Sequence, residues 1–156
     1  MKIKIIALGQ KMPGWVNAGF DEYKKRLNGS EIQLELIELP IAKRGKTGSI
    51  SVWLEEEAKR VKAKLTDQDH LVVLDITAKL ISTEDLAEKL DYWQQNHKSV
   101  ALLIGGPDGI DSTLKKQAGE RISFSKMTFP HPLVRIILVE QLYRAMSILK
   151  GHPYHK

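Results

Sequence analysis

Four short apolar runs recur along the chain: KIKIIAL (2–8), IQLELIEL (32–39), HLVVLDI (70–76) and SVALLIGG (99–106). Amphipathic stretches separate them, and this alternation most constrains the fold. The first run turns at Gly9 and the second stops at Pro40. The last two are nearly continuous apolar segments, the signature of strands covered on both faces. Helical spacing links Trp15, Ala18, Phe20, Tyr23 and Leu27. It returns in the charged stretch from Ile50 to Leu65, through Trp53, Leu54, Ala58 and Val61. Thr83 and Glu84 open a further helix through Leu86, Leu90 and Trp93. Asp111 can cap a short helix ending near Gly119, and ISFSKMTF (122–129) reads as one more strand. A closing helix follows from Pro132. Strands alternating with helices predict one α/β domain over residues 1–156, with a mainly parallel sheet flanked by helices.

Composition narrows the function classes. Hydrophobic residues make up 42% of the chain, enough for a real core. Lys and Arg number 24 against 19 Asp and Glu, a net charge of +5. That excess fits either an anionic partner such as RNA or a slightly basic soluble surface. Cysteine is absent, so disulfides, thiol nucleophiles and cysteine metal sites are excluded. The opening MKIKIIALGQKMPG has too short an apolar run for a signal peptide, and no run approaches a membrane span. The expectation is a cytoplasmic protein without a membrane partner.

In parallel α/β sheets, ligands bind beyond the carboxyl ends of the strands. ALGQKMPG, after the first strand, lacks the GxGxxG spacing of a dinucleotide site. Neither GxxxxGK[ST] nor GxSxG occurs, which removes P-loop and nucleophile-elbow chemistry. Asp75-Ile-Thr-Ala follows the third run, and IGGPDG (104–109) the fourth. Two glycines and a Pro-Asp-Gly turn let a flat ligand approach the backbone, or simply make a tight turn.

The closing helix is apolar nearly all round, from Leu133 through Val139 and Leu142 to Leu149. Such a helix is covered on both sides: by the sheet, and by a second subunit or a long loop. Glu140, Gln141, Arg144 and Ser147 make its polar stripe. Arg135 shares a face with apolar residues and must find a carboxylate, carbonyls or a phosphate, or else snorkel. Gly151 ends the helix. The HPYHK tail that follows is too short and polar for another element. His152 and His155 lack a third ligand at recognisable spacing, so no metal is expected. The tail's rings and lysine suit stacking on a base, or a frayed end.

LLIGGPDG, SFSKMTFPHPLVRIILVEQLYRA and the terminal HPYHK resemble the ribosomal RNA large-subunit methyltransferase H family. KIKIIALGQKMPGW and the KRGK loop extend the resemblance over essentially the whole chain. It implies a SPOUT-type fold with a trefoil knot, and a homodimer. It implies S-adenosylmethionine as methyl donor, no metal, and methylation of N3 of a pseudouridine in 23S rRNA within assembled ribosomes. By that resemblance, the cofactor loops contain Leu74, then Gly105 and Gly106, then Phe124, Ser125, Lys126, Met127, Thr128 and Phe129.

The acceptor nitrogen is poor until its proton leaves, so the enzyme must align the reacting atoms and assist proton loss. His131, Tyr154 and His155 are the candidates for substrate positioning and proton handling. Arg135 and Arg144 are candidates for phosphate or base-oxygen contacts. The KRGK loop (43–46) is either an rRNA phosphate contact or a solvated loop. Two rival functions keep the fold: methylation of another RNA such as tRNA, or non-catalytic binding during ribosome assembly.

Overall fold

The computed structural model describes all 156 residues. In chain order it contains β1 (Lys2–Leu8), α1 (Gly14–Asn28), β2 (Gln33–Leu39), α2 (Ile50–Lys62) and β3 (Asp69–Leu74). There follow α3 (Thr83–Asn96), β4 (Ser99–Ile104), α4 (Ser112–Gln117), β5 (Glu120–Ile122) and α5 (His131–Leu149). A turn of 3₁₀-helix at Pro153–His155 closes the chain. The five strands form one sheet in the order β2-β1-β4-β3-β5, and every pair is parallel. The α/β architecture read from the sequence is therefore present.

Side-chain alternation along the strands divides the core in two. Ile3 and Ile5 of β1, Val72 of β3 and Leu102 of β4 face α1, α3 and α5. Ile6, Val73 and Leu103 face the other way, against α2 and α4. The fold thus has three layers, with β4 in the middle of the sheet between β1 and β3.

Local chemistry sets the boundaries. Ser82 and Asp85 cap α3 reciprocally, each side chain accepting the other's backbone N–H. Asp111 caps α4 as the sequence suggests, accepting from Thr113 N. Asp75 stops β3 by accepting the N–H and hydroxyl of Thr77 at 3.0 and 2.8 Å, an Asx turn.

One strand sits elsewhere than expected. The sequence predicts it over 122–129, but β5 spans Glu120–Ile122. Beyond it Ser123 Oγ donates to Ser125 O, and Met127 N donates to Ser125 Oγ. After Ser123, which still pairs with Leu80, these local side-chain hydrogen bonds replace the ladder and turn residues 124–129 into a loop.

The tail also differs from the expectation. Gly151, at φ +65, takes the left-handed conformation that closes α5. His152 N donates to Ser147 O at 2.8 Å and Gly151 N to Ile148 O at 3.1 Å. This double bond pattern at the helix end folds HPYHK into its own helical turn back along α5. Ser147 is buried, its hydroxyl donating to Tyr143 O, so it does not join the polar stripe. No helix is long and apolar enough to cross a membrane.

Candidate active site

A cavity of about 840 Å³ opens beyond the carboxyl ends of β1, β3, β4 and β5. That size suits a small organic ligand or cofactor. Leu74, Gly105, Gly106, Phe124, Ser125, Met127, Thr128 and Phe129 line it. Lys126, expected with them, is exposed and does not. Gly105 has no room for a side chain: a Cβ there would sit 2.7 Å from Ile110 Cγ1 and 2.9 Å from Gly109 O. The backbone therefore packs tightly behind the cavity wall. Asp75, Thr77 and Lys115 add a polar corner, with Lys115 Nζ 3.4 Å from Asp75 Oδ2.

His131 stands where α5 begins, at the cavity edge. Its Nδ1 lies 3.0 Å from Gly105 O, and its Nε2 lies 3.1 Å from the Arg135 guanidinium. The carbonyl can only accept and the guanidinium can only donate. The partners thus assign a neutral ring, with the proton on Nδ1 and the Nε2 lone pair occupied. Burial lowers the His131 pKa, and the positive Arg135 lowers it further. Nδ1 thus holds the Gly105 loop to α5, while Nε2 is taken by Arg135 on the same helix.

Arg135 is fully buried. It donates to Glu38 Oε2 at 2.6 Å and to Gly9 O at 3.3 Å. It takes the carboxylate alternative among those its position allows, joining α5 to the ends of β1 and β2. In this arrangement it faces protein partners rather than a phosphate.

The remaining candidates lie at the other end of α5. Thirteen residues separate His131 from Arg144, about 20 Å along the helix axis. Arg144 donates twice to Glu140 Oε1, at 2.9 and 2.6 Å. Its guanidinium lies 4.9 Å from the centre of the Tyr154 ring, and Tyr143 meets that ring edge-on at 4.6 Å. The Tyr154 hydroxyl donates to Glu140 at 3.3 Å. Burial, then a hydrogen bond with Tyr23 and the charge of Glu140, push the Tyr154 pKa up to about 12. The phenol is accordingly protonated at neutral pH and acts as a donor. His155 Nδ1 meets His152 O at 2.7 Å, which leaves Nε2 as the outward nitrogen.

Residues 1–155 match the family model described as "Predicted SPOUT methyltransferase". The chain belongs to the SPOUT methyltransferases. It is 65% identical to Ribosomal RNA large subunit methyltransferase H of Francisella philomiragia over 156 residues, the full length of both chains. It is 48% identical to the protein of that name from Hydrogenovibrio crunogenus, over all of this chain and 99% of the relative. The Dichelobacter nodosus protein of that name is 47% identical with the same coverage. These identities place the methyltransferase in the large-subunit methyltransferase H family.

Sequence reasoning missed part of this methyltransferase's cavity. Gly9, Gln10, Lys11 and Met12 line it from the loop after β1, and Pro40 and Ile41 from the loop after β2. ALGQKMPG lacks a nucleotide motif, so its residues carry no signal by spacing. The signal lies in topology: β1 is an interior strand beside β4, so its carboxyl end falls inside the site.

Proposed function

We propose that this methyltransferase transfers a methyl group from S-adenosylmethionine to N3 of a pseudouridine in 23S rRNA of assembled ribosomes, working as a homodimer. The observation that carries this reading is the split along α5. A ligand-sized cavity lies at one end, and an arginine, a protonated phenol and an imidazole lie about 20 Å away at the other. Two copies related by a two-fold axis, with their α5 helices running in opposite directions, bring the tail of each over the cavity of its partner, completing sites that neither chain has alone. Exposed apolar residues support a second copy: Trp15 is 58% exposed, with Phe129 and Leu133 also open to solvent. The relatives' shared name supports the large-subunit rRNA as substrate.

The knot expected of the family has support in the hydrogen bonding at the end of β5. Asp75 N donates to Ile122 O on one side, and Ile81 N donates to Ser123 O on the other. The chain at residues 122–123 is thus bonded to Asp75 on one side and to residues 79–81 on the other.

The cavity fits the donor by its size, its apolar lining and the close backbone at Gly105. Leu74, Gly105, Gly106, Phe124, Ser125, Met127, Thr128 and Phe129 would hold it. When bound, it supplies a methyl group on a positively charged sulfur, which needs no metal. The protein's own work is alignment and charge. His131 and Arg135 fix the Gly105 loop. Arg144 and the Tyr154 hydroxyl offer positive charge and a proton to the uracil oxygens as the N3 proton leaves. His155 Nε2 takes that proton or passes it to water.

The test uses labelled S-adenosylmethionine and ribosomes from a strain lacking this protein, followed by nucleoside mass spectrometry. Label on a pseudouridine of 23S rRNA is the expected result. Label on tRNA alone would move the substrate. Cofactor binding without transfer to any RNA would favour a binding factor.

A further inference from the structure

The basic loop between β2 and α2 is not uniformly open to solvent. Lys43 and Lys46 are exposed, but Arg44 is fully engaged. Its NH1 donates to Glu57 Oε2 at 2.8 Å and to Ala42 O at 2.7 Å. Glu57, on α2, is buried and also accepts from Ala42 N at 3.2 Å. The other edge of the guanidinium reaches the PDG turn: Nε and NH2 donate to Asp108 Oδ2 at 3.2 and 2.8 Å. The plane lies 5.3 Å from the centre of the Trp53 ring.

One planar group therefore joins three elements: α2 through Glu57, the β2–α2 loop through Ala42, and the turn at residues 105–109 through Asp108. That turn carries Gly105, Gly106, Pro107 and Gly109 into the cavity wall. Ile41, from the same basic loop, also lines the cavity and packs close to Gly106. A lysine has the charge but not the fork needed to hold both carboxylates in plane.

We propose that Arg44 is a positioning residue for cofactor binding, preorganising the 105–109 turn through Asp108. The proposal rests on the reading of the cavity as the S-adenosylmethionine site. A turn already held in its bound shape loses less freedom when the ligand arrives, so the tether acts on affinity. It also explains why KRGK is not a simple phosphate patch: its arginine faces inward and only its lysines face solvent.

Asp108→Ala tests this without disturbing the buried Arg44–Glu57 pair. Calorimetry with S-adenosylhomocysteine should show the dissociation constant raised about fivefold, the upper end for a partly exposed ion pair. The melting temperature should fall by no more than about 2–4 °C. In turnover assays KM for the donor should rise more than kcat falls, and Asp108→Glu should recover most of the affinity. Arg44→Lys should weaken binding too. The pair Lys43→Ala and Lys46→Ala should leave cofactor affinity as it is; an equal loss there would mean charge, not the tether, sets the affinity and would overturn the proposal. Wild-type affinity in Asp108→Ala would overturn it alone. A wild-type chain that binds no S-adenosylhomocysteine would overturn both this proposal and the methyltransferase site on which it rests.

Discussion

The Arg135 guanidinium donates to Nε2 of His131, one helical turn earlier on α5, across 3.1 Å. The same guanidinium holds Glu38, and the same imidazole holds Gly105 O. Buried charge and cavity wall are thus linked through one side-chain contact. Removing either member of the Arg135–Glu38 pair has unequal consequences. Glu38→Gln leaves a fully buried cation without its counter-charge and should cost about 3 kcal/mol. Arg135→Met leaves a carboxylate that is 35% exposed and should cost less. Chemical denaturation of both variants decides it, and the reverse order would contradict the assignment.

His131 should titrate below the ordinary histidine value, because burial and Arg135 both oppose its protonation. A histidine with a lowered folded pKa contributes stability above its unfolded pKa of about 6.5 and loses it as pH falls through the lower folded value. Cofactor affinity should follow the same course, since the protonated ring places an N–H against the guanidinium. An NMR titration of His131 gives the pKa directly. A value at or above 6.5 would show that the ring is not held as described.

Asp69 provides a second pH handle, far from the cavity. Burial raises its pKa, but hydrogen bonds from Lys4, Ser99 and Thr66 outweigh burial and hold it at about 2 against an ordinary 3.8. Its carboxylate has no exposed side-chain surface. The lowered value contributes about 2 kcal/mol of stability above pH ~4, lost as pH falls toward 2. Denaturation of wild type and Asp69→Asn should therefore differ most near neutrality and converge in acid. A gap that stays constant with pH would remove the ionic explanation.

Gly105→Ala should abolish most cofactor binding. The added methyl group meets Ile110 and the Gly109 carbonyl at under 3 Å, so the turn must shift. Overpacking of this kind costs about 1–3 kcal/mol, and the displaced turn forms the cavity wall. Calorimetry with S-adenosylhomocysteine measures the binding loss, and thermal melting separates it from unfolding.

Deleting residues 152–156 should abolish methyl transfer while cofactor affinity stays within about twofold, because the tail lies at the far end of α5 from its own cavity. Mixing that truncation with Gly105→Ala chains should restore roughly a quarter of wild-type activity, from mixed dimers with one complete site each. No recovery on mixing would place each tail on its own cavity.

Sequence periodicity alone established the parallel α/β layers, because strand and helix patterns are local and each apolar run has one way to be buried. Strand ends marked GGPDG as a candidate site, and the quoted motifs carried the family and, with it, residues 124–129. Local signals did not decide the end of β5: Ser123 still pairs with Leu80, and the turn bonds at Ser125 begin where the chain leaves residues 79–81. They did not decide Arg135 or Arg44 either. Their partners Glu38 and Asp108 lie 97 and 64 positions away, and only folding brings them together. Tertiary structure likewise decided that the tail folds back against Tyr143 and Arg144 and that the β1 loop lines the cavity. A sequence fixes which side chains prefer burial or water; which charge meets which depends on long-range geometry that no spacing encodes.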